Sequence, residues 1–272
     1  MHATVKLVGT ERPMYRELEL LVPFIGRTVK LRMYGNAERA RRPALIYLHG
    51  GYFNSGRIED ADAIAREMRG TAAVICVAYP LAPASPFPAA LETGYTVLQW
   101  AACNAVALGI DRANLFVGGD RAGGTIAAAI AMIARDRHFN RGRGVRLAGQ
   151  VLITPLLDPA QATAALRGTR QHPCLRAWPD YLSRPADFNH PYASPLRSRR
   201  LAGLAPVLLI STGSDPMRDE ASLYAQRLND AHVPVSIQMH EAASAIPVNP
   251  SDPAFDRTVA MLETFIKDLA KT

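Results

Sequence analysis

Residues 115–130 constrain the fold most tightly. The apolar run Leu115-Phe116-Val117 leads into Gly118-Gly119-Asp120-Arg121-Ala122-Gly123-Gly124, and Thr125-Ile126-Ala127-Ala128-Ala129-Ile130 follows with helical character. A buried strand, a glycine turn and an Ala-rich helix in so few residues bring strand and helix close together, and glycine permits that approach. Arg121 stands at the centre of the turn. Its guanidinium is permanently charged and unsuited to act as base or nucleophile.

Around this turn the chain reads as alternating strands and helices. Glu17–Val22 and Thr28–Met33 alternate in polarity and, with Gly26-Arg27 between them, predict an antiparallel pair at a sheet edge. Six continuous apolar runs follow: Ala44–Leu48, Ala72–Ala78, Leu115–Val117, Val151–Ile153, Val207–Ile210 and Val233–Ile237. Such runs are what strands covered on both faces look like in a parallel sheet. Helices are expected over Pro86–Leu108, after Arg121, over Arg218–Leu228, and from Ser251-Asp252-Pro253 through Leu269, the last with a cap residue followed by proline. The fold class is therefore α/β, a mostly parallel, doubly wound sheet with helices on both faces. Residues 1–272 are read as a single domain, with the Pro- and Arg-rich segment 158–200 as a lid inserted between two strands.

Composition excludes several function classes. Apolar residues make up 49% and charged residues 20%, an ordinary globular balance with no disordered signature. A net charge of +7 and a pI near 9.6 raise the question of nucleic acid or anionic membranes. The arginines, however, are scattered in 39–42, 141–146 and 197–200 without interleaved aromatic residues, so they read as solvated surface and neither partner is expected. Three widely spaced cysteines, Cys76, Cys103 and Cys174, suggest neither a disulfide framework nor a metal site. Residues 2–6 lack the charged start and apolar run of a signal peptide, and no apolar stretch reaches the ~18 residues of a membrane span. A cytoplasmic location is expected, and no cofactor.

Four blocks carry a family resemblance. His49-Gly50-Gly51-Tyr52 resembles an HGGG oxyanion loop, and Tyr79–Ala90 is similar to a Y-R-L-A-P-E-x-P-F-P-A-A segment. Gly119–Gly124 matches G-D-S-A-G-G apart from its serine, and Gly213–Asp219 resembles the D-P-L-x-D block that carries a triad acid. From about residue 43 onward the chain thus resembles the hormone-sensitive-lipase-like, or carboxylesterase, branch of the α/β-hydrolases. The turn at Arg121 corresponds to the nucleophile elbow, where G-x-S-x-G presents a serine.

That resemblance implies ester hydrolysis by a Ser nucleophile, a His base and an orienting Asp. Carried over by position, the acid is Asp215, the nucleophile position is Arg121 and the base position is Ala245, so two of three triad members are replaced. The oxyanion donors would be the N–H groups of Gly51, Tyr52 and Ala122, with His49 bracing the loop and Gly50 completing it. His240 falls five residues before the base position and reads as a strand-end residue; Ser244 adjoins that position without a base to activate it.

An Asp215 without its histidine would be a buried carboxylate in need of a counter-charge. A bidentate pairing with Arg121 is the expected answer. The same guanidinium, at a helix N-terminus beside the oxyanion loop, suits a carboxylate or phosphate ligand. The leading expectation is a pseudo-hydrolase that binds a small acidic ligand or a partner protein in the inherited pocket. The alternatives are a hydrolase, lyase or cyclase using rearranged residues, and a subunit that stabilises an active paralogue. Edge strands dimerise in many members of the family, which carries over as an expected homodimer.

Overall fold

The computed structural model describes residues 4–6, 14–35, 41–141, 144–168, 172–241 and 247–271. The strands are β1 (Thr4–Lys6), β2 (Tyr15–Val22), β3 (Arg27–Tyr34), β4 (Arg42–Leu48), β5 (Ala73–Val77), β6 (Ile110–Asp120), β7 (Gly149–Ile153), β8 (Val207–Thr212) and β9 (Val235–His240). They form one sheet in the order β1-β2-β3-β5-β4-β6-β7-β8-β9. The first three strands and the β3–β5 pairing are antiparallel, and every later pairing is parallel.

The continuous apolar runs form central strands because both faces of the sheet are covered. Successive residues alternate between two separate cores: Ala44, Ile46 and Leu48 of β4 belong to one, Leu45 and Tyr47 to the other. Val207 and Leu209 of β8 likewise divide from Leu208 and Ile210. A period of two with no polar member is the mark of a strand buried on both sides.

The helices are α1 (Asp62–Met68), α2 (Ala89–Cys103), α3 (Ala105–Leu108), α4 (Ala122–Arg141), α5 (Ala164–Arg167), α6 (Cys174–Tyr181), α7 (Arg218–Asp230) and α8 (Phe255–Leu269). The core containing Leu48 takes in α2, α4 and α7, and the opposite core takes in α1 and α8. Helices on both faces follow the expected architecture.

Local departures have identifiable causes. β2 and β3 pair as expected, with Leu18 opposite Leu31 and Leu20 opposite Val29, but β1 lies outside them, so the pair is not the edge. The expected 86–108 helix is broken at Asn104, whose side-chain amide donates to the Trp100 carbonyl at 2.8 Å, and Gly109 at φ +68° ends α3. The last helix begins at Phe255 rather than at Asp252. Asp252 Oδ1 accepts the Ala254 N–H at 2.8 Å in a turn just ahead of the helix. No described helix is long and apolar enough to cross a membrane.

Candidate functional site

The sheet positions the site at the C-terminal end of β6. At Arg121 the backbone turns through φ +50°, a left-handed conformation rare for an arginine, and α4 starts at the next residue. The turn is held by the Arg121 N–H donating to the Ile153 carbonyl at 2.9 Å. Gly119 and Gly123 are needed sterically: a Cβ on Gly123 would overlap the Leu48 and His49 carbonyl oxygens, and one on Gly119 would overlap Leu48 and the Gly123 backbone. Strained, fully supported backbone of this kind collects at functional sites.

The loop after β4 lies against this turn. Gly51 sits at φ +114°, where a side chain would meet the Ser55 carbonyl, and a Cβ on Gly50 would overlap the Asp120 carboxylate. Asp120 accepts a hydrogen bond from Tyr47 Oη at 2.9 Å, and burial pushes its pKa up to about 6 against the opposing pull of Tyr47 and Arg121. His49 is buried and stacked on Tyr79 at 4.2 Å between ring centroids, while Tyr79 Oη donates to the His49 carbonyl at 2.9 Å. Burial lowers the pKa of His49 and keeps it neutral at the loop's base.

Arg121 and Asp215 meet across the site. Both are buried, at 3% and 0% exposure, and Arg121 Nη1 stands 3.4 Å from Asp215 Oδ1. The contact is a single long one rather than the bidentate fork expected from the sequence. Asp215 Oδ1 also accepts the Met217 N–H at 3.1 Å, and Oδ2 has no hydrogen-bond partner among the described residues. Burial raises the Asp215 pKa, and the charge of Arg121 works against that rise. The guanidinium also lies 5.7 Å from the centre of the Tyr52 ring, within cation–π range.

Two of the three expected oxyanion donors are engaged internally. The Ala122 N–H donates to the Gly51 carbonyl at 3.2 Å, and the Tyr52 N–H donates to Ser55 Oγ at 3.2 Å. Ala245 and Ser244 lie outside the described residues. His240 ends β9 with its ring buried, and its Nε2 is 3.4 Å from Thr258 Oγ1 of α8, so its ring is engaged with α8.

The segment between β7 and β8 reaches the glycine loop. Phe53 stacks on Tyr181 at 4.0 Å and packs against Trp178, and Asn54 Nδ2 donates to Asp180 Oδ2 at 2.7 Å. This segment carries a histidine that the sequence did not single out, beside a cysteine read there only for its spacing. His172 packs edge-on to Tyr52 at 5.6 Å, and its Nδ1 is 2.9 Å from Cys174 Sγ. Burial, then Arg121, lowers the pKa of His172, while burial pushes the Cys174 thiol up to about 12. Glu220 of α7 is also buried, accepts the N–H groups of Leu157 and Asp158 at 2.7 and 3.1 Å, and is pushed up to about 8 by burial. The signal for His172 and Cys174 was their place in a segment read as a lid; nothing in their spacing set them apart.

A family model described as the alpha/beta hydrolase fold matches residues 45–244, more than half of the chain. The chain belongs to this α/β-hydrolase family. Several of its relatives are esterases by name. It is 33% identical to esterase LipI of Mycobacterium tuberculosis over 77% of this chain and 66% of that protein. It is 31% identical to the ethyl acetate hydrolase of Pseudomonas putida over 78% of this chain and 69% of that one, and 28% identical to an arylesterase of Saccharolobus solfataricus over 97% and 85%. Among solved structures, a hyperthermophilic esterase from Pyrobaculum calidifontis superposes with a TM-score of 0.82 at 33% identity, covering 95% of this chain and 87% of that one. The α/β-hydrolase fold and the esterase-like family read from the four motif blocks are thus those of the protein.

Proposed function

We propose that this α/β-hydrolase has given up serine-esterase catalysis and keeps its pocket as a binding site for a small ligand bearing a carboxylate or similar oxyanion. The observation that carries the reading is Arg121 at the elbow, buried and 3.4 Å from Asp215. A guanidinium at the position of the nucleophile cannot attack an acyl group. The internal engagement of the Ala122 and Tyr52 N–H groups supports the same reading, because donors spent on Gly51 and Ser55 are not aimed at a developing oxyanion. Ala245 at the expected base position adds a second replaced triad member. In this reading Arg121 recognises the ligand, Asp215 balances it when the pocket is empty, and segment 158–200 covers the site with His172 and Tyr52 on its inner side.

Assay with p-nitrophenyl acetate and butyrate, beside an Arg121→Ser/Ala245→His double variant, tests the reading. The wild-type protein is expected to turn over no faster than the uncatalysed background, and the double variant to gain measurable turnover. Esterase-level turnover by the wild type would overturn the proposal. Native mass spectrometry of the purified protein is expected to show a co-purifying small acid that Arg121→Ala loses. The esterase names of the relatives favour a second reading, ester hydrolysis by rearranged groups; turnover that survives Asp215→Ala would support it.

A further inference from the structure

The arginines that the sequence scatters are gathered by the fold. Arg197, Arg199 and Arg200 lie in the run before β8, and this run packs between α4, which contributes Arg135, and α7, which contributes Arg227. Two adjoining cavities of about 500 and 610 Å³ open here, and both are lined by Arg135, Ser198, Arg199 and Arg200. Arg227 and Asp230 line the first, Arg197 and Asp136 the second. These volumes fall in the range of small-molecule sites.

Five guanidiniums face three carboxylates, Asp136, Asp158 and Asp230, which leaves an excess of two positive charges. Asp136 is paired with Arg135 at 2.8 Å and Arg200 at 3.4 Å and accepts the Tyr192 hydroxyl at 2.7 Å. Arg135 also donates to the Arg200 and Ala202 carbonyls, and Arg227 donates to the carbonyls of Leu196 and Ser198. Carbonyl oxygens fix a guanidinium in place without neutralising it. Arg227 therefore keeps an oriented positive charge, and Arg199 is exposed with no hydrogen bond or ion pair among the described residues. Arg197 is held by Asn189 at 3.0 Å and lies 3.7 Å from Asp158.

We propose that this cleft binds a small molecule carrying two or more adjacent phosphate groups. Guanidinium forks match phosphate oxygens, and an excess of two positive charges in adjoining cavities calls for an anion of more than one charge. A monocarboxylate would match only half of that excess. Charge that converges into a cleft, rather than running along an extended track, favours a small anion over nucleic acid. Arg135 lies thirteen residues beyond Ala122 on α4, about 20 Å along its axis at 1.5 Å per residue, so the site is separate from the elbow and independent of the reading given to Arg121.

Isothermal titration of the full chain with inorganic pyrophosphate at 50 and 150 mM NaCl tests the proposal. The expected result is saturable one-to-one binding, weaker at the higher salt, with inorganic monophosphate at least tenfold weaker. Arg199→Ala/Arg200→Ala should weaken pyrophosphate binding more than tenfold, while Arg112→Ala, at an exposed arginine outside both cavities, changes it less than twofold. Both replaced side chains are exposed and the Arg200 carbonyl is retained, so the double variant should keep its thermal midpoint, which is checked first. Non-saturable heats, equal affinity in the double variant, or loss of binding in Arg112→Ala would each overturn the proposal. So would tighter competition by a short oligothymidylate with a steep salt dependence, which would identify a nucleic-acid surface.

Discussion

Replacing Arg121 with alanine removes one member of a buried ion pair and leaves Asp215, at 0% exposure, to face the loss alone. Breaking such a pair costs about 3–5 kcal/mol when the contact is close and the remaining charge has no other relief. Two features lower that figure here. The contact is single and 3.4 Å long, and Asp215 keeps its 3.1 Å bond from the Met217 N–H. Burial has also raised the Asp215 pKa already, so uptake of a proton is an accessible escape. We therefore expect a loss of about 2–3 kcal/mol at pH 7.5, roughly 4–6 °C in Tm for a chain of this size. The sign of the pH dependence follows from the direction of the shift. The folded state holds the Asp215 proton to higher pH than the unfolded chain does, and without Arg121 it holds it higher still. The penalty is then full above the folded pKa and disappears as pH falls toward the ordinary aspartate value of about 3.9. Urea unfolding at pH 5 and 7.5 should show the variant much closer to wild type at the lower pH. Arg121→Ala/Asp215→Ala should recover most of the loss, with a coupling of at least about 1 kcal/mol. A loss below 1 kcal/mol at pH 7.5, with no pH dependence and no coupling, would refute the pairing.

Two further outcomes follow from other buried groups. Glu220, pushed up to about 8, makes folding less favourable as pH rises from the ordinary glutamate range to 8, so Glu220→Gln should flatten the wild-type stability profile over that window by about 1–2 kcal/mol, read by urea unfolding at pH 5.5 and 8; an unchanged slope would show that the carboxyl is not desolvated. Cys103 is exposed whereas Cys76 and Cys174 are buried, so iodoacetamide at pH 7.5 should label Cys103 alone in the native protein and all three thiols in urea, as mapped by peptide mass spectrometry. Native labelling of Cys174 at a comparable rate would mean that segment 158–200 opens readily.

The sheet and the elbow were legible in the sequence because each local signal had a single physical reading. Ala44–Leu48 and Val207–Ile210 have no polar alternation, which only a doubly covered strand explains, and Gly119 and Gly123 flank a turn where a Cβ has no room. Other features depended on partners far away in the chain. Nothing near Glu220 shows that its carboxylate accepts the Leu157 and Asp158 N–H groups, and the spacing of His172 and Cys174 does not reveal that they lie beside Tyr52. The arginines at 197–200 read as solvated because the sequence does not place Arg135 and Arg227 beside them. The bidentate geometry expected for Arg121 failed for a related reason: the angle at which two side chains meet is set by where β6 and β8 end on either side of β7, not by either residue.

The distribution of buried charge makes the residue at the elbow the counter-charge of the site's carboxylates. Asp120, Asp215 and Glu220 are buried around the site, and among the described residues Arg121 is the only buried lysine or arginine. Its charge lowers the pKa of both Asp120 and Asp215 against the upward push of burial. In a serine triad the neutral hydroxyl contributes no charge, and the imidazole balances the acid as it takes the proton. A lone Arg121→Ser replacement would therefore remove the pocket's buried cation without supplying that imidazole, leaving buried Asp215 with the Met217 N–H and the more distant charge of Arg218. Such a protein should be less stable than the wild type, with a lower midpoint in urea unfolding at pH 7.5. In the proposed reading, Ala245→His at the base position that the family resemblance implies is the companion change expected to restore stability and to bring turnover.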